Sequence, residues 1–116
     1  MPVLVKPSSF RRKSITSAEA GGQRLTGILT DTRFFRLRRA IHVKEYEEEG
    51  VWVLECRPLR IHAFGESRKE SWRAFIEFFE CDWDSIVQQR DARLSLDAQE
   101  LKRKYQDVVE SVEPIL

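Results

Sequence analysis

The sequence holds two cysteines, Cys56 and Cys81, and two histidines, His42 and His62. These side chains are the ones best suited to nucleophilic, metal or acid–base chemistry near neutral pH. Neither cysteine sits in a C-x-x-C pair or beside a histidine at metal-ligand spacing, so both are expected as reduced, partly buried thiols. The two histidines lie in different predicted strands, and a shared metal or proton relay would need those strands to be neighbours with both rings facing one way. The acids Glu45, Glu47, Glu48 and Glu49 fall at a predicted turn and point alternately to two faces, which suits them poorly to share a cation. There is no Gly-rich phosphate loop, no G-x-S-x-G elbow and no H-E-x-x-H pair. The expectation is a protein that is not an enzyme and carries no cofactor or metal.

Charge is the less generic signal. The chain has 116 residues, 20 Lys+Arg and 19 Asp+Glu, for a formal net charge of +1. That balance hides a polarity: residues 1–40 sum to +7 and residues 41–116 to −6. A basic arm on an acidic body can bind a polyanion or pair with an acidic face of its own fold or of a second copy. With 41% hydrophobic residues and 12 aromatics among Phe, Trp and Tyr, the chain is rich enough to fold. It is long enough for one domain and short for two. No apolar run is long enough to span a membrane, and the N-terminus lacks the continuous apolar stretch of a secretory signal. A cytoplasmic protein without a membrane partner is expected.

The elements that would position these groups follow from periodicity. Residues 1–23 mix Pro, Ser and Gly without a sustained period and read as a flexible basic arm, with a short strand conceivable at residues 3–5. Residues 24–116 read as a single α+β domain. From 33 to 46 the period is two, with Phe35, Leu37, Ile41 and Val43 on one face, and Arg39 breaking that face as a bulge or edge would. A charged turn over 47–50 leads to a strand at 51–56, apolar on both faces and therefore expected to be central. Pro58 interrupts, and a third strand is expected over 59–64. Ser67 and Glu70 form a capping-box pattern. Behind them Trp72, Phe75, Ile76, Phe79, Trp83, Ile86 and Val87 make one apolar stripe, which predicts a helix over 68–88 that packs on the sheet as core. A second helix is predicted from Ser95 to about Val112, and no strand is evident after it.

Gly50, Pro58, Leu59, Gly65, Glu66, Ser67 and Glu70 fall at or near positions that resemble the HicB-like antitoxin domain family, over about residues 33–90. The start of the predicted C-terminal helix, residues 94–102, is similar to that of small stand-alone members. The resemblance implies a small antiparallel sheet of three or more strands with the long helix on one face and a C-terminal helix, part of an RNase H-like layout. It also implies a binding protein that neutralises a small ribonuclease toxin and that pairs as a homodimer. The residues then expected at the partner surface are the turn acids Glu47, Glu48 and Glu49 and the helix acids Glu77, Glu80 and Asp84, which would steer encounter with a basic surface. Exposed parts of Trp52, Phe64 and Trp83 would supply an apolar anchor.

Two other readings stay open. Arg11, Arg12, Lys13, Arg33, Arg36, Arg38 and Arg39 could neutralise phosphates, making a nucleic-acid-binding protein with salt-dependent affinity. The chain could also be a homodimeric scaffold without a ligand.

Overall fold

Strict alternation over residues 33–46 does build a strand, and it runs further than the periodicity indicates. In the computed structural model, which describes residues 22–115, β1 spans Gly22–Leu29, β2 Arg33–Glu48, β3 Val51–Cys56 and β4 Ile61–Gly65. Helix α1 (Arg68–Asp82) continues into a π-helical turn at Trp83–Val87. A short 3-10 turn at Asp91–Arg93 leads to α2 (Leu96–Val108) and a last strand, β5 (Val109–Pro114). The fold is α+β: one antiparallel five-stranded sheet with two helices.

β2 organises the sheet. Phe35, Leu37, Ile41 and Val43 are buried as expected, while Arg36, Arg38, His42 and Lys44 are exposed. The pairing with β1 shifts register between Leu25 and Gly27. Residues 37–40 of β2 therefore face Thr26 alone, and Arg39 lies in that bulge, where its break in the apolar face placed one. One end of β2, Lys44–Glu48, pairs with β3; the other, Arg33–Leu37, pairs with β5. Because β1 occupies the opposite edge from Phe34 to Lys44, β3 and β5 share one edge of the same strand. β3 lies between β2 and β4, the central place its two apolar faces predict.

Four details differ from the sequence reading. Glu47 and Glu48 belong to β2, and the turn is the two-residue Glu49–Gly50, with φ of 54° and 82°. Left-handed φ at both positions is the twist a tight hairpin needs. β4 starts at Ile61, because Leu59 and Arg60 complete the turn: Leu59 is fully buried and Arg60 has φ 57°. The second helix stops at Val108, and a strand does follow it. Val109 and Val112 are β-branched, and the open edge of β2 offers them a ladder that a longer helix would leave unpaired. β1 was not legible because the register shift puts its buried residues, Leu25 and Ile28, three apart. The strand conceivable at residues 3–5 and the basic groups Arg11, Arg12 and Lys13 lie outside the described residues.

The helical stripe is core. Phe75 and Phe79 are fully buried, with Trp72, Ile76, Trp83, Ile86 and Val87 packed around them. Phe35 of β2 meets Phe79 and Trp83 edge-on, with ring centroids 5.1 and 5.5 Å apart. Ser67 caps α1, its Oγ accepting the Glu70 backbone N–H at 3.1 Å. The Glu70 carboxylate returns to the backbone N–H of Glu66 at 3.0 Å, one residue before the one a capping box predicts. Gly65 fits this corner because a Cβ there would run into the backbone nitrogen of Ser71.

Candidate protein-binding surface

The two ends of β2 carry opposite charges, and the fold treats them differently. At the N-terminal end every arginine finds a partner within the chain. Arg33, only 24% exposed, donates through Nε to Glu80 at 2.9 Å and through Nη2 to Asp84 at 2.8 Å. The hydrogen bond to Asp84 is the largest influence holding the Arg33 pKa above its ordinary value. Thr30 donates to the same Glu80 oxygen at 3.0 Å. Arg36 lies over the Phe34 ring, 4.0 Å from Glu113. Arg38 donates to the carbonyls of Asp107 and Val109 at 3.1 and 3.2 Å, where the end of α2 leaves acceptors unpaired. Arg39 pairs with Asp107, whose carboxyl it holds below the usual range.

The C-terminal end of β2 is different. Glu45 points to the helix side. It is nearly buried, receives the Trp72 indole N–H at 3.2 Å and pairs with Arg68, whose Nη2 lies at 3.2 Å. Beyond it Glu47, Glu48 and Glu49 are exposed, and none of their side chains makes a hydrogen bond or ion pair among the described residues. Glu49 holds a left-handed φ that costs a non-glycine residue roughly 1 kcal/mol, so the tip keeps a carboxylate where Asn or Gly would be easier. Beside it Val51, 36% exposed, sits opposite Glu48 on the outer face.

The expected acidic set is therefore not one surface. Glu80 and Asp84 hold Arg33 at the opposite end of β2 from Glu47, Glu48 and Glu49, and Glu77 is exposed on α1. The three anchor candidates also separate. Phe64 is 55% exposed on the outer face of the sheet. Trp52 pairs with Glu47 and Gly65 on the helix side, and Trp83 packs on Phe35.

The sequence reading missed a cluster on the outer face. The Tyr46 hydroxyl donates to Glu55 at 2.8 Å, His62 Nε2 lies 3.2 Å from the same oxygen, and the Lys44 ammonium sits 5.4 Å over the Tyr46 ring. The hydrogen bond to Glu55, followed by burial, pushes the Tyr46 pKa up to about 12. Its signal was the even-numbered face of β2, but which residues of β3 and β4 stand opposite is a matter of register alone. His42 and His62 are on strands separated by β3, so the fold does not assemble them as a pair. Cys56 is buried, which pushes its thiol pKa up, while Cys81 is exposed; both are free. Among the described residues no group of three His, Cys, Asp or Glu side chains could hold a metal ion. No described helix is long and apolar enough to cross a membrane.

No protein-family model, no curated protein and no solved structure matches this chain.

Proposed function

We propose that this chain is a non-enzymatic binding protein of the HicB-like antitoxin type, which docks the acidic tip of its β2–β3 hairpin on the basic surface of a small protein partner. The observation that carries this reading is the contrast along β2. The arginines of one end are answered within the chain, whereas Glu47, Glu48 and Glu49 at the other end have no counter-charge among the described residues. Three exposed like charges at the end of a two-residue hairpin attract a cationic surface from a distance and speed encounter. The order β2–β3–β4–α1 is the one the family resemblance leads one to expect. In this reading those elements are the partial RNase H-like layout, and β1 and β5 are additions to it. A partner of this kind is a cytoplasmic, RNA-binding toxin, whose own basic surface the acids would cover.

The test is calorimetry with a small basic ribonuclease toxin of the HicA type, using the wild-type chain and a Glu47→Lys, Glu48→Lys, Glu49→Lys triple variant. Binding should weaken by roughly 10–1000-fold at low salt, mainly through the association rate. Equal affinity for both proteins, or no binding of such a partner to the wild type, refutes the proposal.

A further inference from the structure

We infer that the chain associates with a second copy of itself through the open edge of β4. Among the described residues, strand edges are unpaired on β1, β5 and β4 and on the end of β2 that runs beyond β1, where Glu45, Glu47 and Glu48 stand. Natural sheets protect such edges with charges, prolines and bulges. β1 has Arg24 and a register shift. β5 has Glu110, Glu113, Pro114 and its own register shift against β2. β4, with the sequence Ile-His-Ala-Phe-Gly, has neither Lys, Arg, Pro nor a register shift.

Two exposed aromatics flank this edge, one on each side of the sheet. Phe64 projects from β4 on the outer face and is 55% exposed. On the helix side, Trp72 of α1 donates to Glu45 of β2, and Glu80 receives Thr30 and Arg33, so that flank of the helix faces β2. The opposite flank is turned toward the β4 edge and carries Phe78, 49% exposed. Val51, Leu96 and Ile115, the other large exposed apolar residues described, are aliphatic.

Register selects the pairing. An isologous antiparallel seam must place outer-face residues opposite outer-face residues, so that both copies keep their helices on one side. Among such registers, the one centred on Ala63 pairs the whole strand. It sets Ile61 opposite the partner's Gly65 and His62 opposite the partner's Phe64. His62 and Phe64 already touch within one chain, with ring centroids 4.7 Å apart, so the seam brings four rings together on the outer face. At both ends it brings Arg60 opposite the partner's Glu66, a pair of opposite charges; Arg60 also holds Asp97 and Glu100 of its own chain.

Light scattering of the full chain should give twice the chain mass. Phe64→Glu with Phe78→Glu should weaken dimerisation by roughly 100-fold or more, since each substitution acts twice in a two-fold interface. Circular dichroism checks that the fold is retained, and Phe64→Ser with Phe78→Ser replaces that variant if it is not. In a Cys81→Ser background, His62→Cys and Phe64→Cys proteins should form a disulfide on oxidation only when mixed, because directly opposed strand positions lie within disulfide reach. A monomeric wild type overturns the inference. So does a dimer that survives the double substitution, or a disulfide formed by His62→Cys alone.

Discussion

The two ends of β2 solve opposite charge problems. At the Arg33 end, four arginines on or beside one strand would repel one another. The fold answers them with Glu80 and Asp84 from α1 and its π-helical turn, with Asp107 and carbonyls at the end of α2, and with Glu113 from β5. At the hairpin end, Glu47, Glu48 and Glu49 are exposed and their side chains have no such partner among the described residues. A strand can carry both arrangements because packing covers only part of it: α1 and its π-helical turn, α2 and β5 supply partners at the basic end, whereas at the other end the described side-chain partners from α1 are on Glu45. Charge held inside a fold adds to its integrity, whereas charge left outside it is available for recognition.

That contrast can be broken at several depths. Phe35→Ala removes the ring beneath the basic end and should cost roughly 3–5 kcal/mol, read as a shift in urea midpoint. A loss under about 1 kcal/mol would show that the basic end is not anchored by the core. Arg33→Ala leaves Glu80, itself only 24% exposed, without its cation. The expected loss is roughly 1–2 kcal/mol, with a smaller loss for Asp84→Ala because Asp84 is 54% exposed. Comparing both variants by thermal melting tests whether Glu80 is the tighter anchor.

Tyr46→Phe should cost about 0.5–1.5 kcal/mol near neutral pH. Because the folded state raises the Tyr46 pKa from 10.0 to about 12, it holds the phenolic proton more tightly than the unfolded chain. That stability is complete below pH 10 and is lost as pH rises toward 12. Denaturation across this window should bring wild type and Tyr46→Phe together. A gap that stays constant would show that Glu55 does not hold the proton. The smallest effect belongs to the acidic tip. Replacing Glu47, Glu48 and Glu49 by Gln should change stability by less than about 0.5 kcal/mol while partner binding falls. A large destabilisation would place these acids with Glu45, as structural groups.

Some of this was legible in the residues. α1 was readable because its cap and its apolar stripe are local: Ser67 satisfies Glu70, three residues away, and the stripe recurs every three or four residues. β2 was readable because its alternation persists on both sides of the bulge, and Arg39 marked that bulge. β1 was not, since its register shift destroys the period over only eight residues. The stretch Val108–Val109–Val112 fits a helical step and a strand step equally, and only the waiting edge of β2 made β5 a strand.

For the charges, the division is sharper. The sequence by itself determined how many there are and that basic groups lead and acidic groups follow. It also showed a charged turn near Gly50, but not that Glu47 and Glu48 belong to the strand and only Glu49 to the turn. Which charges meet was decided by the tertiary structure alone. Arg33 finds Glu80 47 residues on, and Arg38 finds the Val109 carbonyl 71 residues on. Coulomb attraction acts on distance in space, and distance along the chain says nothing of it until helices and strands are packed.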